Sequence, residues 1–271
     1  MIIYSSVFKT LFVRRPIVSS ILFSSFTQKM VLENLSSIEK AKMLAAYKAV
    51  DEHVTGNMVL GIGSGSTIVY AVNRIAEKVK KENLQILCVP TSFQSKLLIV
   101  DNNLSLRSLD ECPVLDCIID GADEVDSDLN LIKGGGACQT QEKILAYNSN
   151  KVIIIADYMK DSKRLGEKYK RGVPIEIIPF ARVAIEKKIS SLLGGALELR
   201  MGKMKAGPVV TDNGNFVLDW KFPDDKHYNW DKINTQIKMI PGVVETGLFV
   251  NMVDAVYFGL EDGSVKKVDS K

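Results

Sequence analysis

The stretch Val114-Leu-Asp-Cys-Ile-Ile-Asp120-Gly-Ala-Asp123-Glu124-Val-Asp126, with Lys133-Gly-Gly-Gly136-Ala-Cys-Gln-Thr140-Gln-Glu142 after it, decides how the chain is read. Val114 to Ile119 predicts a buried strand that stops on a carboxylate, Asp120. In open α/β sheets ligands bind beyond the carboxyl ends of the strands, so an acid at that edge is a candidate by position as well as by type. Farther on, Lys133 opens the run Gly134, Gly135 and Gly136, and Gln139 to Asn148 predicts a helix with Glu142 near its start. Consecutive glycines let a backbone approach a ligand closely, and the N–H groups at a helix N-terminus favour anions. Asp120, Asp123, Lys133 and Glu142 thus form a candidate site for proton transfer on a small anionic substrate. The alternative is a solvated acidic turn followed by an inert glycine loop.

Upstream, Leu35 to His53 has the spacing of an amphipathic helix. Met58 to Gly61 predicts a strand running into Gly61-Ile-Gly63-Ser64-Gly65-Ser66-Thr67, and Ile68 to Lys81 a helix. Strand, glycine-rich turn with hydroxyls, then helix is an arrangement that cradles a phosphate. Two sharper readings fail. A dinucleotide fingerprint needs a glycine where Ser66 stands and an acid after the next strand, which here ends in Pro90-Thr91-Ser92. A Walker loop needs a lysine before its final hydroxyl, and there is none. A phosphate monoester or another small anion remains, against a merely tight turn.

Gln85–Pro90 and Leu104–Leu106 as strands, Gln94–Asn102 as a helix and Lys151–Ala156 as a buried strand continue the alternation. It predicts an α/β fold with a Rossmann-like, doubly wound, mostly parallel sheet. From about Pro174 the style changes. Ile175–Pro179 predicts a strand, Ala181–Leu193 a helix and Ala196–Arg200 a strand. A hairpin follows, Pro208–Asp212 and Asn215–Trp220 around Asn213-Gly214. Ile233–Ile240 as a helix and Val243–Phe249 as a strand complete a small ferredoxin-like α+β domain. Val256–Leu260 and Val265–Val268 return to the first domain as a hairpin. The expected divisions are an N-terminal extension over 1–32, a Rossmann-like catalytic domain over 33–172 plus 248–271, and the small domain over 173–247.

The net charge of +3 invites a nucleic-acid reading, but its distribution opposes one. Lys9, Arg14, Arg15 and Lys29 lie in an acid-free leader; removing these four from 35 leaves 31 basic against 32 acidic residues, or −1. No nucleic-acid or membrane partner is expected: the leader's uncharged run, Pro16 to Gln28, is too short and serine-rich to span a bilayer. Its composition suits an organelle transit peptide, while Met30 offers an alternative start; the expected location is the cytoplasm, with organelle targeting by residues 1–30 as the alternative. Cys88, Cys112, Cys117 and Cys138 show no C-x-x-C pairing and fit a reducing compartment. His53 and His227 sit in no motif, so zinc chemistry and a Ser-His-Asp triad are poorly supported.

Six motifs, Gly61-IGSGST, Asp120-GADEVD, Leu131-IKGGGACQTQEK, Ile175-EIIPFA, Val209-VTDNGN and Ile240-PGVVETGLF, together resemble the ribose-5-phosphate isomerase family, type A. The resemblance covers nearly everything from about residue 33. It implies an aldose–ketose isomerase that interconverts D-ribose 5-phosphate and D-ribulose 5-phosphate in the non-oxidative pentose phosphate pathway. It implies no metal and no organic cofactor, and a homodimer or homotetramer. By this resemblance Glu142 is the general base and Lys133 stabilises the oxyanion, while Asp120 and Asp123 hold sugar hydroxyls and assist ring opening. Ser64, Ser66, Thr67 and Lys160 fall in the substrate and phosphate sites, with the backbone of Gly63, Gly65, Gly121, Gly134, Gly135 and Gly136 close to the sugar. Cys138 departs from the small residues common at its position.

The chemistry agrees with the residues. Isomerisation takes a proton from C2 through an enediolate and returns it at C1, which one carboxylate on one face can do. Related cores suggest sugar-phosphate deaminases, which would need a histidine in a candidate loop, or CoA transferases, for which Glu142 would be the nucleophile. A sugar-phosphate sensor without catalysis would have lost Glu142 or Lys133.

Overall fold

The computed structural model describes residues 35–270; the expected extension over 1–32 lies outside the described residues. The chain runs α1 (Ser37–His53), β1 (Met58–Ile62), α2 (Ser66–Glu82), β2 (Ile86–Pro90), α3 (Phe93–Asp101), β3 (Ser105–Leu106), β4 (Cys117–Asp120), β5 (Glu124–Val125), β6 (Leu131–Ile132), α4 (Gln139–Tyr147) and β7 (Val152–Asp157). After a 3-10 turn, Tyr158–Lys160, come β8 (Val173–Ile177), α5 (Arg182–Leu193), β9 (Ala196–Leu199), β10 (Phe216–Lys221), α6 (Trp230–Lys238), β11 (Val243–Thr246) and β12 (Leu248–Phe249). The chain closes with β13 (Ala255–Gly259) and β14 (Val265–Asp269).

The main sheet has the order β14-β13-β7-β4-β1-β2-β3, parallel except for β14 at its edge. From β1 the chain winds outward through β2 and β3, then returns to place β4 on the other side of β1. That reversal leaves a crevice beyond the carboxyl ends of β1 and β4, the place where such sheets bind ligands. Side chains alternate across the sheet as the strand period demands. Cys117, Ile119, Ile153, Ile155 and Tyr257 pack under α1 and α2, while Ile118, Ile154, Ala156, Val256 and Phe258 pack towards α4 and Phe249. Each such buried aliphatic contributes roughly 1.5–3 kcal/mol, more than a surface ion pair. α1 lies close to the sheet because its inner face is Ala41, Ala45, Ala46 and Ala49; a Cβ on Gly259 would sit 1.9 Å from the Ala41 carbonyl oxygen.

A second sheet, ordered β11-β8-β10-β9 and antiparallel throughout, carries α5 and α6 over a core of Ile175, Ile185, Ile189, Trp220 and Ile237. This is the expected ferredoxin-like arrangement. A third sheet, β12-β6-β5, joins residues near the site and was not expected from the sequence.

Three expectations are corrected. Val114–Ile119 becomes a strand only at Cys117; before it Leu115 makes a single bridge to Ser149. Pro208–Asp212 is not a hairpin strand: the turn at Asn213-Gly214 forms, with Gly214 N–H on the Thr211 carbonyl, but both edges of β10 are already taken by β8 and β9. Val243–Phe249 is two strands, because the chain leaves the second sheet at Gly247 and enters the third.

Candidate active site

Three acids and a lysine meet at the crevice. Asp120 ends β4, Lys133 follows β6, and Glu142 stands in the first turn of α4, so three elements each supply one group. Lys133 Nζ lies 3.0 Å from Asp120 Oδ2 and 3.3 Å from Glu142 Oε2, and donates to the Gly121 carbonyl at 2.6 Å. The angles leave Asp120 Oδ2 and Glu142 Oε2 without a formed hydrogen bond although both are buried. Asp123 Oδ2 accepts the Gly135 N–H at 2.6 Å, which anchors the glycine loop over the acids.

Burial and charge set the proton affinities. Burial first, then the nearby Asp120 charge, push Glu142 up to about 8, and Lys133 offsets part of this. A carboxylate so placed takes and returns a proton near neutral pH. Burial alone would lower Lys133, but Asp120 and Glu142 outweigh it and hold the ammonium charged. Burial also raises Asp123, against the Gly135 N–H and Lys133.

The loop after β1 is fitted to Asp120. A Cβ on Gly63 would fall 2.0 Å from Asp120 Oδ1, so a side chain there would displace the acid. Asp120 Oδ1 accepts the N–H groups of Ser64 and Gly121 at 3.1 and 2.7 Å. The Ser64 hydroxyl is tied to Thr91 and Ser92 at 2.8 and 2.6 Å. No side chain caps the N-terminus of α2 at Gly65, so the first N–H groups of that helix, at Ser66 and Thr67, are available to an anion.

These groups surround a cavity of about 590 Å³. Of the expected residues, Ser64, Gly65, Ser66, Thr67, Gly121, Asp123, Lys133, Gly134, Gly135, Gly136, Glu142 and Lys160 line it. Gly63 and Asp120 lie behind the wall and hold it. His53 and His227 are not among the lining residues, so the histidine-assisted deaminase reading has no support here.

A family model described as Ribose 5-phosphate isomerase A (phosphoriboisomerase A) matches residues 87–263. The chain belongs to the ribose 5-phosphate isomerase A family. It is 60% identical over 231 residues to the ribose-5-phosphate isomerases of Homo sapiens and Sus scrofa, covering 85% of this chain and 74% and 75% of theirs. A solved D-ribose-5-phosphate isomerase, in complex with phospho-erythronic acid, superposes with a TM-score of 0.81 at 41% identity, covering 86% of this chain and 99% of the other. Several residues of this cavity's wall were not among the expected ones. Lys42, from α1, donates to the Ser66 hydroxyl at 3.0 Å and brings a second cation to the loop. Asp212, in the Thr211–Asn215 turn, accepts the Phe93 N–H at 2.9 Å and closes one side. Single charges in a helix or turn carry no spacing signal, whereas Ser92, also on the wall, stands two residues past the end of β2.

Proposed function

We propose that the chain interconverts D-ribose 5-phosphate and D-ribulose 5-phosphate through an enediolate, with Glu142 moving the proton between C2 and C1. The observation that carries this is a buried carboxylate 3.3 Å from a buried ammonium, both on the wall of one cavity, where burial and the Asp120 charge raise the carboxylate's proton affinity. In the open-chain aldose, Glu142 takes the C2 proton while the electron pair moves to the C1 carbonyl oxygen. Lys133 faces that developing charge, and fixed charges in a dry site act with little reorganisation. The C2 hydroxyl proton passes to the C1 oxygen, and as Glu142 returns its proton to C1 the C2 carbonyl of the ketose forms. Asp123, on the cavity wall, is placed for the sugar hydroxyls; Asp120, behind the wall, orients Lys133 and the Ser64 backbone. The phosphate fits the uncapped N-terminus of α2 at Ser66 and Thr67, with Lys42 and Lys160 nearby, and binding there orients the reacting carbons.

No metal or organic cofactor is assigned to this reaction, since Lys133 occupies the electrophile's place. We read residues 33–172 and 248–271 as the catalytic domain and 173–247 as the smaller one. Exposed Leu97, Ile144 and Tyr147 favour a homodimer or homotetramer. Four unpaired cysteines favour the reducing cytoplasm, and among the described residues no helix is long and apolar enough to cross a membrane. The test is a coupled assay with ribose 5-phosphate in EDTA. Turnover supports the reading and its independence of metal; a correctly folded chain inert towards ribose 5-phosphate overturns it.

A further inference from the structure

We propose that Arg200, at the end of β9 in the ferredoxin-like sheet, is a positioning residue that holds the Gly134–Gly136 loop against Asp123 for catalysis. Its guanidinium forks in two directions. Nε and Nη2 pair with both oxygens of Asp219 on β10, the first at 2.9 Å, while Nη1 donates to the Gly134 and Gly135 carbonyls at 2.7 and 3.3 Å. Arg200 and Asp219 are both buried, at 5% exposure each. On the opposite edge of the same loop the Gly135 N–H meets Asp123, and a Cβ on Gly135 would fall 2.4 Å from Asp123 Oδ1.

The loop needs such a clamp because its own backbone resists the conformation. Gly134 has φ +96° and Ala137 φ +63°, and a left-handed alanine is disfavoured in isolation. Within the turn the Ala137 N–H donates to the Gly134 carbonyl at 2.9 Å, and the Cys138 thiol adds a weak contact to the Gly136 carbonyl at 3.5 Å. Arg171 adds a weaker contact to the Gly135 carbonyl at 3.4 Å. The carbonyl edge is therefore gripped from the second sheet and the amide edge by Asp123, in the loop between β4 and β5, and Lys133 enters the loop between them. Lysine cannot reproduce this, since it lacks the planar fork that spans a carboxylate and two carbonyls.

The inference rests on the reading of Lys133, Asp123 and Glu142 as the reacting groups. The test is Arg200→Lys, with Asp219→Asn as a second variant that keeps shape and frees the guanidinium. In each, kcat should fall about 10–100-fold with KM for ribose 5-phosphate nearly unchanged, since small misplacement of catalytic groups is costly. In the substrate-free protein the Gly135 amide NMR resonance should shift, because its hydrogen bond to Asp123 loosens. That readout needs no activity, so it stands even if the reaction assignment fails in the wild type. Should Arg200→Lys not fold, Asp219→Asn decides. Wild-type kcat together with an unmoved Gly135 resonance would reduce Arg200 to a structural ion pair and overturn the proposal.

Discussion

Glu142 and Glu176 are both buried carboxylates, and α4 connects their surroundings, yet they are treated in opposite ways. Glu176, on β8, is fully buried and accepts four hydrogen bonds: from Thr140 at 2.6 Å, Thr211 at 2.9 Å, Asn213 at 3.0 Å and Asn215 at 2.9 Å. Thr140 lies one half-turn before Glu142. Glu142 itself faces Lys133 at ion-pair distance and keeps an oxygen with no hydrogen bond. Buried polar groups are normally satisfied, so the exception calls for a reason. The saturated acid knots the Thr211–Asn215 turn to the helix; the unsaturated one is left with a proton affinity fit for transfer. One glutamate thus holds the wall still, and the other is the one to which the proposed reaction gives the proton transfer.

The sharpest way to break this contrast is to neutralise each acid. Glu142→Gln should lower kcat by about 10²–10⁴ with substrate affinity near wild type, because shape is kept and basicity lost. Its stability should respond to pH in a particular sense. Between pH 4.5 and about 8 the folded chain holds a proton on Glu142 that the unfolded chain releases. Wild type therefore loses stability as pH rises through that window, and the Gln variant does not. The melting-temperature gap should move in the variant's favour up to about pH 8, then stay constant; a gap independent of pH would mean Glu142 titrates normally. In the wild type, kcat/KM should climb with pH and level near 8.

Lys133→Met comes next, with kcat down by on the order of 10²–10³. It also leaves Asp120 and Glu142 facing each other without their cation, so the rise of kcat/KM should move to higher pH. An unmoved profile would show that Lys133 does not set the charge state of Glu142. Glu176→Ala should act on stability instead. Four donors lose their acceptor, for a loss of about 3 kcal/mol or more, read calorimetrically as a fall of about 6–12 °C in Tm. Its kcat, corrected for folded protein, should drop far less than that of Glu142→Gln; a comparable drop would erase the distinction. The smallest effect is expected for Lys42→Ala, a KM raised about 3–10-fold at unchanged kcat in steady-state assays, as for a group that binds ground and transition states alike.

Much of this was legible in the sequence because the motifs sit at strand ends. Asp120 and Gly63 follow strong apolar runs, so their place at the sheet edge followed from the runs, while the Lys133–Glu142 segment was legible from its consecutive glycines and the helix after them. The third sheet was not legible, since Glu124–Val125 and Leu131–Ile132 are two-residue strands with no period to read. The break at Gly247 was hidden in an apolar run; a Cβ there would lie 2.1 Å from the Lys133 carbonyl oxygen, a contact between residues far apart in the chain. Pro208–Asp212 misled because turn chemistry identifies the turn but not which edge of the next strand is free. The clamp of Arg200 on Gly134 likewise joins distant segments, and neither carries a sign of the other.

The most direct test of the central claim is exchange of the C2 proton of ribose 5-phosphate with deuterated water, followed by NMR at substrate saturation. With Glu142 as the base, Glu142→Gln should lose exchange and isomerisation together, because both begin with the same proton abstraction. Exchange at the wild-type rate in that variant would contradict the account and move the role of base to another carboxylate of the cluster.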